Sequence, residues 1–140
     1  MDAYGANTTK ALAGDPSSRV EAEWGGRVKV THETYTFASA AAAFTVQVGV
    51  LKPGEVYIDG FIHAADLGSA TDLTLGDAGD ADRYLAATTF TTDKQVTACR
   101  KAEGLGYKNS TAVDIPLFLT VGTEEASGAV EVVIFKAARS

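Results

Sequence analysis

Between Phe44 and Val50 large apolar side chains fall on every second residue, Phe44, Val46, Val48 and Val50 alternating with Thr45, Gln47 and Gly49. A period of two places one set of side chains on each face of an extended strand, so this segment predicts a strand with one buried and one wet face. Val113, Ile115, Leu117, Leu119 and Val121 repeat the pattern. Pro116 sits inside that second run and has no N–H to give a ladder, which predicts an edge position or a bulge there.

The same reading extends along the chain. Val28 and Val30 share one phase while Tyr35 and Phe37 take the other, so the first strand is expected to be interrupted or bulged near His32 to Thr34. Further strands are expected at Glu55 to Ala65, after the Pro53-Gly54 turn, and at Asp72 to Gly76, Arg83 to Ala87, Gln95 to Arg100 and Ala129 to Lys136. Ala38 to Ala43 has high helix propensity but is too short for a stable helix, and reads as a loop or a single turn. About eight short strands separated by turn signals, with no helical stripe, predict an all-β fold: an antiparallel, jelly-roll-like β-sandwich.

Two of these strands are apolar on both faces. In Ala129 to Lys136, Val130, Val132 and Ile134 alternate with Val133 and Phe135, and Val56, Tyr57, Ile58, Phe61 and Ile62 cover both sides of another strand. A two-layer sandwich buries only one face of each strand, so a covering loop or a neighbouring copy is expected on the other.

At Leu73 to Ala87 the alternation stops in a Gly/Asp cluster, LTLGDAGDADRYLAA, and an apolar segment follows at once. This reads as strand, loop, strand. Gly76 and Gly79 are expected to supply positive φ, and Asp77, Asp80 and Asp82 to turn their carboxylates onto nearby backbone N–H groups. Carboxylates this close in a Gly-containing loop also raise calcium, but the spacing departs from the EF-hand loop and no bidentate Glu follows at the required distance.

Composition sets the remaining bounds. A chain of 140 residues, 46% hydrophobic, forms one core of ordinary size without covalent staples. The lone Cys99 excludes an intrachain disulfide and reads as a buried thiol. Residues 1–24 lack a sustained period and carry only Tyr4, Leu12, Val20 and Trp24 as large apolar groups, which predicts an extended N-terminal arm preceding a β-sandwich domain at residues 25–140. An arm so sparse cannot offset its own ordering entropy, so a surface outside it must supply the contacts, with Tyr4 and Trp24 as anchors. No secretory leader or membrane-spanning run is visible, which predicts synthesis in a cytoplasm and gives the Asn7 and Asn109 glycosylation patterns no meaning.

A net charge of −6 argues against wholesale nucleic-acid binding. Lys94, Arg100, Lys101 and Lys108 nevertheless gather in one short segment, and read as a solvated loop or as a basic edge for an acidic protein surface. Phosphate-binding, nucleophile-elbow and zinc-protease motifs are absent, and the histidines are His32 and His63 alone. A set such as His63, Asp66 and Ser69 is a cheap coincidence in a chain rich in Asp, Ser and Thr, so no enzyme, cofactor or metal site is expected.

The order of several elements resembles the capsid decoration, or cement, proteins of tailed bacteriophages. It comprises the short arm, GGRVKV at Gly25 to Val30, Tyr35-Thr36-Phe37, LGDAGDADRY at Leu75 to Tyr84, Gly104-Leu105-Gly106-Tyr107, and a final apolar strand ending at Phe135. The resemblance implies a jelly roll that sits on the outer capsid surface of a virion and bridges neighbouring subunits of the major capsid protein. Such a protein would form a homo-oligomer, a trimer or dimer, and its contacts would include Tyr4, Trp24, Lys94, Arg100 and Lys101. Two other readings share the β-rich composition: a carbohydrate- or receptor-binding fibre module, for which Tyr84, Tyr107 and Asn109 are the hints, and a tail or head-completion component.

Overall fold

The computed structural model describes residues 27–68 and 70–138. Eight strands follow in order: β1 (Arg27–Ala40), β2 (Thr45–Leu51), β3 (Val56–Ala64), β4 (Asp72–Gly76), β5 (Leu85–Thr89), β6 (Gln95–Ala98), β7 (Ile115–Val121) and β8 (Ala126–Ala138). No helix occurs among the described residues. The strands form two four-stranded antiparallel sheets, β1-β8-β3-β6 and β2-β7-β4-β5. Successive strands pass from one sheet to the other at most connections, the topology of a jelly roll. The expected all-β sandwich is therefore the fold.

The core lies between the sheets. Phe37, Tyr57, Ile62, Val130, Val132 and Ile134 come from one layer and Val48, Leu51, Leu73, Leu75, Leu117 and Leu119 from the other, all buried. Each large side chain so buried contributes about 1.5–3 kcal/mol relative to exposure, which is why the alternation of apolar residues decides the fold.

The ladders move the expected interruption of β1 and add a register shift in β2. β1 pairs with β8 without interruption from Arg27 to Phe37, and the register shifts only between Phe37 and Ala40, where Ser39 takes a φ of 51°. There is no bulge at His32 to Thr34. Val28 and Val30 lie instead on the outer face of the sheet, 58% and 57% exposed, while Phe37 lies on the inner one. In β2 the register against β7 shifts between Gln47 and Gly49, so the buried phase passes from Val48 to Leu51, and Val50 leaves the core face.

Pro116 illustrates how a proline enters an interior strand. β7 lies between β2 and β4, but β4 pairs only with Phe118 to Val121, so Pro116 has a partner on the β2 side alone. Its missing N–H removes no ladder bond on the β4 side. Of the Ala38 to Ala43 segment expected as a loop or single turn, Ala38 to Ala40 instead complete β1, and the chain turns only at Ala41–Phe44, with Phe44 N–H donating to Ala41 O (3.1 Å) and Ala43 at a φ of 72°.

Candidate interaction surfaces

The loop from Asp77 to Tyr84 is built as its sequence predicts, with one difference. Asp77 Oδ1 accepts from the N–H groups of Gly79 (2.9 Å) and Asp80 (3.0 Å), and Asp80 Oδ1 accepts from Asp82 N–H (3.2 Å). Arg83 closes the loop, its Nε donating to Asp77 Oδ2 at 2.8 Å and its Nη2 to Oδ1 at 3.3 Å. The Asp77 carboxylate raises the Arg83 pKa further. Neither Gly76 nor Gly79 takes a positive φ. Gly76 is required for a different reason: a Cβ there would run into the backbone of Asp80 and Ala81. The Asp77 carboxylate is buried, saturated by these donors and held by a guanidinium, and among the described residues no group of three or more His, Cys, Asp or Glu is placed to hold a metal ion.

Beside this loop, the neighbouring Asp82 carboxyl raises the Asp80 pKa, while Asp82 is held below its ordinary value by the Asp80 carboxyl and by Lys101. Lys101 Nζ lies 3.0 Å from Asp82 and 3.5 Å from Glu103. Arg100 reaches across to Asp59 with two bonds of 2.9 and 3.0 Å and holds its carboxyl below the usual range. Lys94, at a φ of 60°, sits in the turn between β5 and β6 beside a shallow hollow of about 160 Å³ lined also by His63, Asp93 and Glu131. Of the residues expected to make contacts, Arg100 and Lys101 thus form ion pairs within the chain and Lys94 stands apart from them. Tyr4 and Trp24 lie outside the described residues, as does the arm itself and Ser69 of the coincidental His63 set.

Two of the three hints of a glycan site are interior groups. Tyr84 is fully buried against Tyr57, ring centroids 4.3 Å apart. Asn109 is also fully buried: its Nδ2 donates to Leu51 O and Val113 O, both at 2.8 Å, and its Oδ1 accepts from the Thr111 N–H at 3.0 Å. Asn109 ties the long β6–β7 connection to the end of β2. Tyr107 is half-buried with the Arg83 guanidinium 3.9 Å above its ring, so its face is already occupied. Cys99 is buried and its thiol is pushed up to about 12 by burial, which keeps it protonated and unreactive at neutral pH.

The remaining candidate is the outer face of β1-β8-β3-β6. Val30 pairs with Phe135, and Val133 with Phe61, so apolar side chains continue across three strands, and Val96 of β6 extends them. The Phe61 and Phe135 rings are 6.3 Å apart. Phe61, Val133 and Phe135 are half-buried by one another, and no loop of the described residues covers Val28, Val30 or Val96. The strands read as apolar on both faces thus do present a second apolar surface. Polar groups also lie on this face: His32 Nε2 is 3.1 Å from Glu131 Oε2, and Arg100 forms an ion pair with Asp59.

No protein-family model matches the chain, and no curated protein matches it. Solved structures do. A chain of the capsid asymmetric unit of cyanophage Pam1 is 22% identical, with a TM-score of 0.65 over 80% of this chain and 85% of that one. A chain of the capsid of Ralstonia phage GP4 is 18% identical, with a TM-score of 0.65 over 82% and 86%. A chain of the acid-stable capsid of Helicobacter pylori bacteriophage KHP30 is 12% identical, with a TM-score of 0.61 over 81% and 89%.

Proposed function

We propose that this chain is a structural virion protein that binds the outer surface of a phage capsid and clamps neighbouring subunits of the major capsid protein. The observation that carries this reading is the likeness to chains of three phage capsids, which extends over four-fifths of this chain and more than four-fifths of each of those.

The surface supports the reading. A clamp breaks no bond and needs no activated nucleophile, and the buried thiol, capped aspartates and paired cations of this chain are suited to rigidity rather than to reaction. In this proposal the arm at residues 1–24 lies across the capsid with Tyr4 and Trp24 as anchors, and Lys94, Arg100 and Lys101 contribute to the contact edge. Homo-oligomerisation, as a trimer or dimer, multiplies the arms held near one site, so that modest individual contacts give long retention. Burial of Tyr84 and Asn109 takes from a carbohydrate-binding module its expected ligand groups.

Co-sedimentation of the purified protein with empty capsids tests the proposal. Saturable pelleting with capsids, and none without them, is the expected result. Binding to a glycan array with no capsid association would replace this reading by the fibre module.

A further inference from the structure

We infer that a hollow on the outer face of the β2-β7-β4-β5 sheet binds one neutral sugar ring. Residues paired across a ladder point to the same face of their sheet, and Phe118 of β7 stands opposite Gly76 of β4. Leu117 and Leu119 are buried in the core, so Phe118 and the side-chain position of Gly76 face outward. At Gly76 that position is taken by the backbone of Asp80 and Ala81. The loop from Asp77 to Tyr84 therefore folds back over the outer face beside Phe118. Between loop and sheet it leaves a hollow of about 230 Å³.

The lining selects the class of ligand. On the sheet side the half-buried Phe118 supplies a ring, and Thr45 and Thr120, paired across β2 and β7, supply two hydroxyls. On the loop side Ala78 and Ala81 keep the wall small. Among the described residues that line the hollow Asp77 alone is ionic, and its carboxylate is spent on Arg83 and on the N–H groups of Gly79 and Asp80. An anionic ligand meets no cation there, and a cationic one meets a carboxylate already paired, so desolvating either costs more than it recovers. A ligand with an apolar face for Phe118 and hydroxyls for the two threonines satisfies the lining, which is the chemistry of a pyranose. Pockets for drug-sized ligands begin at about 300 Å³, so this one takes a single ring rather than a chain. The caps of Asp77 and its pairing with Arg83 fix the loop before any ligand arrives, so binding carries little cost of ordering it.

Amide chemical-shift titration of the full chain with the methyl glycosides of glucose, galactose, mannose and N-acetylglucosamine tests the site. Saturable shifts confined to residues 76–81, 118–120 and Thr45 are expected for at least one of them, with the millimolar affinity that so small a ligand allows. Phe118→Leu keeps an apolar group but removes the ring, and Ala78→Tyr, at an exposed position, fills the hollow from the loop side. Each is expected to weaken binding at least about tenfold with an unaltered far-ultraviolet spectrum and melt; should Phe118→Leu disturb the fold, Ala78→Tyr decides. Val113→Thr, at a position 67% exposed in the loop before β7 and outside the hollow, is expected to bind as the wild type does. Absence of saturable shifts with all four glycosides, or undiminished binding by Ala78→Tyr, overturns the inference. So does an Ala78→Tyr variant that loses capsid co-sedimentation when the wild type binds no glycoside, since the hollow would then belong to the capsid contact. Glycoside binding at these residues by a chain that ignores capsids upholds the inference and removes the capsid reading instead.

Discussion

The Lys136 ammonium lies 3.0 Å from Glu55 Oε1 and 2.6 Å from the Val50 carbonyl, joining the last strand to the turn that precedes β3 and to the end of β2. Lys136 and Glu55 are both buried, 6% and 3% exposed. Glu55 also accepts from the Lys52 N–H at 2.7 Å and from Lys29 Nζ at 3.2 Å. Burial alone would raise the Glu55 carboxyl, but these donors outweigh it and hold the group below its ordinary value. Two sheets are thereby tied at one end of the sandwich by a satisfied ionic cluster.

A folded-state pKa below the unfolded one means that the stabilisation is complete above the unfolded value, near 4.5, and is lost as pH falls through the folded value. Melting temperature should therefore be flat with respect to Glu55 between neutrality and about pH 5, then fall. Glu55→Gln should cost about 2–4 kcal/mol at pH 7, because it leaves the buried Lys136 without its counter-charge, and should flatten the acid limb. Thermal melts across the pH range check both; an unchanged acid limb in the variant would assign the loss to other carboxylates, Asp59 among them.

Gly76 and Gly79 separate two reasons for glycine in one loop. A Cβ at Gly76 meets the backbone of Asp80 and Ala81, which cannot move aside cheaply, whereas at Gly79 it meets only the ends of Arg83 and Asp77 at 3.3 and 3.4 Å. Gly76→Ala should destabilise by about 2–3 kcal/mol and Gly79→Ala by less than about 1 kcal/mol. Denaturant titration of the two variants makes the comparison, and equal costs would mean that the loop yields as a whole.

The sandwich was legible because strand burial writes itself into sequence with a period of two, and all eight strands fall where alternation and turn residues place them. The bulges were not, since a bulge depends on the partner's register. Val50 looks continuous with Val48 until the pairing against β7 shifts. Val28 and Val30 differ in phase from Phe37 for another reason: apolar character does not mark the core side of a strand whose outer face is apolar too. The cluster around Glu55 left no local signal, because its members Lys29, Lys52 and Lys136 come from distant segments. Arg100 and Lys101 were recognisable as a basic pair, but their acceptors Asp59 and Asp82 are defined only by the fold. Asn109 and Tyr84 are amide and aromatic groups of the kind a glycan site uses, but here they hold the long connections down by being buried.

The Asp77 carboxylate has its donors already, so calcium has no vacancy to fill there. Adding calcium or a chelator should leave the melting temperature unchanged, since a ligand shifts the melt only by binding the native state. Asp77→Asn, by contrast, should lower stability by about 2–3 kcal/mol through loss of the charge facing a mostly buried Arg83. A calcium-dependent rise in the wild type, absent in Asp77→Asn, would establish a metal site in the loop.

The arm provides the sharpest division between folding and binding. The described sandwich closes its core with residues from Phe37 onward, and none of its buried apolar residues precedes that position. Deletion of Met1 to Ser18 should therefore leave the melt nearly unchanged. If Tyr4 and its neighbours lie across the capsid, the same deletion should weaken capsid binding at least about tenfold, equivalent to roughly 1.4 kcal/mol. Trp24 remains in that truncated chain, so a further Trp24→Ala change measures the second anchor separately. Loss of stability on truncation would mean that the arm packs on its own sandwich, and undiminished coating of capsids would mean that the sandwich alone does the clamping.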